Sequence, residues 1–240
     1  MKKFMIMVAA FSLLTIGMVS CNRNDDTTNN LGDNNQSDPT DPTADMYVDL
    51  GLSSGLLWAK CNLGAQSPED AGNYYAWGET TTKQEYSWQT YIWCSGTRLG
   101  LTKYCCEDEY GQIDNLRTLQ SDDDAASRLI GYGACIPSKE QWDELLNQTD
   151  ITWETVGDVY GCRFTSRTNG QSIFLPAAGY YEFGALTSNN SVGGYWSSTI
   201  ANGTSCKAYY LRLVVNRSHD VSTDERSNGR TIRAVRSARK

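Results

Sequence analysis

The second half of the chain sets short aromatic and β-branched runs between glycines, and this pattern most restricts the fold. "SIFLPAAGYYEFG" (172–184), "GGYWSST" (193–199), "AYYLRLVVN" (208–216) and "RTIRAVR" (230–236) have strand length and strand composition. In 208–216, Tyr209, Leu211, Leu213 and Val215 share one face, and Tyr210, Arg212, Val214 and Asn216 the other. One face is expected in the core and the other at least half solvated. An upstream segment, "YVDLGLSSGLLWAKCNLGA" (47–65), has the turns of an opening hairpin. Residues 81–120 show little periodicity and are expected to form long loops with small local elements.

Two helices are expected beside these strands. Ser121 is placed to cap 122–130, whose acidic first turn suits the helix dipole and which Gly131 stops. Ala125, Ala126, Leu129 and Ile130 fall on one face of it. The second helix follows Pro137, where Ser138 and Gln141 have capping-box spacing. Trp142, Leu145 and Leu146 then repeat at helical spacing, facing the core. The fold class expected is therefore α+β and loop-rich.

The N-terminal segment has a different character. Lys2 and Lys3 precede an apolar run, Phe4–Val19, in the layout of a secretory signal. Its 16 residues fall short of the roughly 20 that a spanning helix needs. Met18-Val19-Ser20-Cys21 resembles a bacterial lipoprotein signal, which implies residues 1–20 as signal peptide and Cys21 as the lipidated first residue. Acyl chains hold a protein at a membrane without spanning it. Residues 21–45 then read as the lipidated cysteine and a flexible acidic linker, with Leu31 the only large apolar side chain after Cys21. The folded domain is expected over 46–240. The Asp25-Asp26 pair resembles the acidic export signal of Bacteroidetes-type surface lipoproteins.

Seven cysteines follow Cys21, at 61, 94, 105, 106, 135, 162 and 206. An odd number leaves at least one outside any intrachain pairing. The expectation is buried small apolar side chains with one or two bridges at most. No C-x-x-C pair occurs and His219 is the sole histidine, so neither a zinc site nor another metal centre is expected. The net charge is −7, yet residues 205–240 hold 9 basic and 3 acidic side chains. Most of these arginines are expected to pair with the acidic body rather than meet an anionic polymer. No nucleic-acid-binding motif appears.

The hydroxyl trio of "GGYWSST" raises the question of catalysis. A serine nucleophile needs a base and an oxyanion hole. The G-x-S-x-G elbow is absent, and His219 lies in a polar stretch with no evident rigid partner. Asp122-Asp123-Asp124 and Asp143-Glu144 sit where capping and solvation explain them. Tyr195 and Trp196 are expected to be core aromatics, with Ser197, Ser198 and Thr199 bonding within the strand or the next turn. No catalytic residue is assigned.

"VDLGLSSGLLWAKCNLGA", "PEDAGNYYAWGET", "LTKYC", "DDAA", "PSKEQWDEL", "NGQSIFLPAAGY", "GGYWSST", "AYYLRL" and "GRTIRAV" occur in this order. The string resembles the Fibrobacter succinogenes major paralogous domain family, over roughly residues 47–236. That resemblance implies a C-type-lectin-like fold, with two helices packed on twisted antiparallel sheets and the N- and C-terminal strands close together. The family is common in surface lipoproteins of gut Bacteroidetes, which implies a lipid-anchored, surface-exposed outer-membrane protein. This chain departs from the family pattern at Ala134-Cys135, where a Trp-Arg pair is usual, and in its closing Thr231-Ile232-Arg233-Ala234-Val235. Arg233 is retained. The Glu-Pro-Asn, Gln-Pro-Asp and Trp-Asn-Asp strings of calcium-dependent lectins are absent.

Residues 216–230, "NRSHDVSTDERSNGR", have Val221 as their one large apolar side chain. They form either a solvated hairpin or a display surface. In retroelement-diversified relatives the variable positions lie in the corresponding stretch. The candidate ligand-binding residues are Arg212, Arg217, His219, Asp220, Asp224, Arg226 and Asn228. Arginine and histidine suit carboxylate or sulfate groups on a glycan. The expected function is a non-enzymatic cell-surface binding or adhesion module for glycan or extracellular protein, attached to the membrane through its lipid and needing no cofactor. The alternatives are a retroelement-diversified display protein and an enzyme of the formylglycine-generating type.

Overall fold

The computed structural model describes residues 41–238 other than 216 and 218. The expected signal peptide, Cys21 and Asn216 lie outside the described residues. In chain order the elements are β1 (Tyr47–Asp49), β2 (Leu56–Ala59), α1 (Ala125–Leu129), α2 (Lys139–Gln148), β3 (Thr149–Val156), β4 (Val159–Ser166) and β5 (Ser172–Pro176). Then follow β6 (Tyr180–Glu182), β7 (Ala185–Thr187), β8 (Val192–Ile200), β9 (Lys207–Val214), β10 (Asp220–Glu225) and β11 (Val235–Ser237). The class is α+β, mostly sheet with two helices and long loops. No helix among the described residues is long and apolar enough to cross a membrane.

The strands form antiparallel sheets ordered β1-β2-β11, β3-β4-β5 and β10-β9-β8, with a separate β6-β7 hairpin. The opening hairpin turns through Leu52–Gly55, where the Gly55 N–H donates to the Leu52 carbonyl at 2.9 Å. Val235, near the C-terminus, pairs with Trp58 of β2, so the two ends of the described chain share one sheet. Residues 230–234, expected as strand, pair only singly. Arg230 bridges Tyr75 and Thr231 bridges Tyr195. Arg233, within this stretch, is fully buried.

The sheet β10-β9-β8 separates two apolar clusters, as the period-2 alternation of its strands requires. Tyr195, Leu211 and Leu213 meet Trp58, Trp142 and Leu145 on one side. Trp196 and Tyr210 meet Trp77, Tyr104, Ala125 and Ala126 on the other. Burying each large apolar side chain contributes roughly 1.5–3 kcal/mol. Helix α2 follows the sequence closely. Ser138 accepts from the Gln141 N–H while the Gln141 side chain accepts from the Ser138 N–H. Trp142 and Leu145 are fully buried and Leu146 packs against the same cluster.

Three expectations need correction. Helix α1 starts at Ala125, and its cap is Asp124 rather than Ser121. One Asp124 carboxylate oxygen accepts from the Ser127 N–H at 2.9 Å and the other from the Ile136 N–H at 2.8 Å. That second, tertiary partner selects Asp124. Leu129, expected on the buried face, is exposed because the helix ends after five residues. The fold also begins before Met46. Asp41 and Thr43, assigned to the linker, are buried, and Arg236 donates to Asp41 at 2.6 Å and to the Thr43 hydroxyl at 2.9 Å. The Thr43 hydroxyl is the chief cause holding the Asp41 carboxyl down, to about 2.

Candidate functional site

"GGYWSST" is built into the core. The Tyr195 hydroxyl donates to the Pro176 carbonyl at 2.6 Å, and the Trp196 indole to the Tyr75 carbonyl at 2.8 Å. The β8–β9 register shifts between Trp196 and Ile200, so Ser197, Ser198 and Thr199 form a bulge. Backbone groups freed there bind elsewhere. The Trp77 indole donates to the Ser197 carbonyl, and the Ser198 N–H to the Pro137 carbonyl. The Thr199 hydroxyl accepts from the Lys139 N–H at the start of α2. The Thr199 hydroxyl and the Ser198 N–H thus seat the start of α2.

The C-terminal candidates divide into two groups. Arg212, Asp220 and Asp224 are only partly buried and lie on one face of β9 and β10. Arg212 and Asp220 stand opposite each other in the register. The guanidinium grips the carboxylate with both Nε (2.9 Å) and Nη2 (2.7 Å), and this bond raises the Arg212 pKa. Asp224 accepts from the Asn228 amide at 2.9 Å and from Arg230 at 2.5 Å. Arg230 itself is buried. It lies 3.6 Å from the Tyr210 ring centroid and 4.7 Å from that of Tyr180. Its Nε and Nη1 make no hydrogen bond. Gly194 makes this possible, since a Cβ there would stand 2.0 Å from Nη1. Burial, then the nearby Asp224, pushes the Glu182 carboxyl up.

Arg217 is exposed. His219 packs 5.8 Å from Trp153, which stacks on Tyr160 at 4.9 Å. Burial lowers its pKa, against the opposing pull of the adjacent Asp220. His219 lies among aromatic rings, away from the hydroxyl bulge of β8.

Arg226 and Asn228 leave the candidate set. Arg226 is fully buried. It donates to the carbonyls of Lys103, Tyr104 and Ser205 and to the Tyr91 hydroxyl, over the face of Trp77. Asn228 is buried against Asp224. Both anchor the chain where it turns inward. Arg233, retained from the family pattern, also has a structural place. It donates to Asn62 and to the carbonyls of Ala59, Lys60 and Phe174, and burial lowers its pKa to about 10. The basic C-terminal strip is thus largely consumed inside the molecule, partly by carboxylates and partly by backbone carbonyls.

Cys61, Cys94, Cys105, Cys106, Cys162 and Cys206 are free thiols. No disulfide joins any two of these six. Burial raises the Cys162 thiol furthest, with Cys61, Cys105, Cys106 and Cys206 raised as well. No group of three or more His, Cys, Asp or Glu among the described residues is arranged to hold a metal ion.

Two concave regions lie outside the predicted stretch. One, of about 290 Å³, is lined by Val48, Lys60, Glu69, Arg163 and Phe174, with Arg163 tied to Glu154 at 2.6 Å. The other, of about 310 Å³, is walled by Tyr74, Tyr86 and Tyr181 with polar side chains between them. The sequence reading missed it because its walls come from distant segments. The doublets Tyr74-Tyr75 and Tyr180-Tyr181, each beside a glycine-rich turn, were the available signal. Comparison of the chain with protein-family models, with curated proteins and with solved structures gives no match.

Proposed function

We propose that this chain is a non-enzymatic cell-surface lipoprotein, whose C-type-lectin-like domain of the major paralogous type binds or adheres to glycan or protein ligands. The observation that carries the reading is the face of β9 and β10. Arg212, Asp220 and Asp224 stand partly exposed there, on a sheet held between two apolar clusters. A rigid sheet presenting polar side chains is a preorganised recognition surface. The shared sheet of β1, β2 and β11, with two helices and long loops, supports the fold part of the proposal. The structural use of "GGYWSST" supports the non-enzymatic part. The anchor is Cys21 at the outer membrane, by the resemblance of its signal.

The test is binding of the full-length chain in detergent to arrays of glycans, mucins and matrix proteins. A ligand bound by the wild type, and weakened by Arg212→Ala or Asp220→Ala, is expected. No binding above background contradicts the proposal. Palmitate labelling that survives Cys21→Ala contradicts the anchor. The partly exposed cluster of Arg212, Asp220 and Asp224 also favours a second reading, retroelement-diversified display. Sibling genes differing mainly at 205–230 would establish it, and identical siblings would sink it.

A further inference from the structure

We propose that the groove walled by Tyr74, Tyr86 and Tyr181 is a metal-independent binding site for neutral oligosaccharide. This inference rests on the binding-module reading above and assigns that module a second surface. Its volume, about 310 Å³, sits at the small end of ligand pockets, which run from about 300 to 1,000 Å³. An aromatic wall offers a negative π-face to the positive C–H face of a sugar ring. Here the partly exposed rings of Tyr74 and Tyr181 meet edge-on at 4.9 Å, and the buried Tyr86 ring backs Tyr181 at 5.3 Å and 35°.

The walls are fixed before any ligand arrives. The Tyr86 hydroxyl donates to the Tyr74 carbonyl and the Tyr74 hydroxyl to the Ala178 carbonyl, each at 2.5 Å. Burial pushes both phenols up to about 12, so they stay protonated as donors. Backbone bonds in both directions hold Tyr181 against Gly229, at 2.8 and 2.9 Å. Gly229 is required, since a Cβ there would stand 2.8 Å from the Tyr86 ring.

Asn73, Thr82 and Gln84, all exposed, line the same groove. An amide or hydroxyl both donates and accepts, as a sugar hydroxyl requires of its partner. The charge of the groove points to a neutral ligand. Its only cation, Lys83, is already bound to Glu79 at 2.8 Å and to the Thr90 carbonyl at 3.1 Å. No carboxylate lines the groove, so it has no charged oxygen ligand for a bridging calcium ion.

The β6–β7 hairpin supplies Tyr181 to this wall. Its tip residue Phe183 is 87 % exposed with φ +49°, followed by Gly184 with φ +76°. Two-residue tips of this kind favour Asn-Gly or Asp-Gly. A large aromatic stands exposed there instead, in the turn two residues beyond Tyr181.

The full-length chain in detergent is screened on an array of neutral glycans, and the strongest binder is titrated by calorimetry. The expected result is saturable binding that survives EDTA and high salt. Tyr181→Ala and Gln84→Ala should each weaken it by about tenfold or more. Gln84 is exposed, so its variant keeps the proposal testable should Tyr181→Ala fail to fold. Arg212→Ala should leave this binding unchanged. Silence across the neutral array, or binding indifferent to both groove variants, overturns the inference. If a ligand then binds through Arg212 and Asp220, the binding-module reading stands without the groove. If nothing binds either surface, both fall.

Discussion

Arg226→Met separates an anchoring arginine from a ligand-contacting one. The guanidinium makes four hydrogen bonds of 2.9–3.0 Å, three of them to backbone carbonyls, and lies 4.8 Å from the Trp77 ring centroid. Methionine preserves much of the apolar stem but strands those carbonyls. A hydrogen bond to a charged group contributes about 1.5–3 kcal/mol, and a buried acceptor left without a donor costs about 1–3 kcal/mol. Against this, methionine avoids the several kcal/mol of desolvation that a buried charge bears. The balance resembles breaking a buried ion pair from one side, about 3–5 kcal/mol. At about 2–4 °C per kcal/mol for a domain of this size, the melting temperature should fall by about 6–20 °C. Urea unfolding followed by tryptophan fluorescence, with calorimetry alongside, measures the loss. Arg212→Met is the control, since its pair is 42 % exposed on both sides and should contribute under about 1 kcal/mol. A loss below about 1 kcal/mol for Arg226→Met would refute the anchoring account.

Further expectations concern titration, packing and thiol chemistry. Burial pushes the Asp124 carboxyl up to about 6, from an unfolded value of 3.8. Its contribution to stability is therefore full below about pH 4 and lost as pH rises through about 6, a change of about 3 kcal/mol. Asp124→Asn retains a good cap and should flatten that decline, whereas an unchanged pH slope contradicts the assignment. Gly194→Ala should force Arg230 off Tyr210 and destabilise by about 1–3 kcal/mol in the same unfolding assay; an unaltered midpoint would show that the guanidinium has room to move. Iodoacetamide at pH 8 should leave Cys162 unmodified until the chain unfolds, because burial raises its thiol and closes access to it. Rapid alkylation of native Cys162 would count against the packing of β4.

The parts of this molecule that were legible in its sequence are those settled by neighbours in the chain. The Ser138–Gln141 capping box needs only residues three apart, and it forms as read. The alternation of β9 places Leu211 and Leu213 in the core and leaves Arg212 partly exposed, but Tyr210, expected on the wetter face, is buried in the second cluster and Tyr209 is only half-buried. Helix α1 went astray because Asp124 was selected by Ile136, a partner outside the helix. Arg212 lies between Leu211 and Leu213 and Arg226 between Glu225 and Ser227, and neither setting tells what its guanidinium meets. What distinguishes them is the loop around Lys103 and Tyr104, more than a hundred residues away, which presents carbonyls to Arg226 alone. The tyrosine groove was hidden for the same reason, since Tyr74 and Tyr181 meet only in the fold.

The most direct test is hydrogen exchange of the full-length chain with and without a ligand captured from the arrays. The account predicts new protection confined to 219–225, to the β6–β7 hairpin and to the 72–86 loop. Protection centred on α2 or on β3 and β4, or none at any saturating ligand, would contradict it.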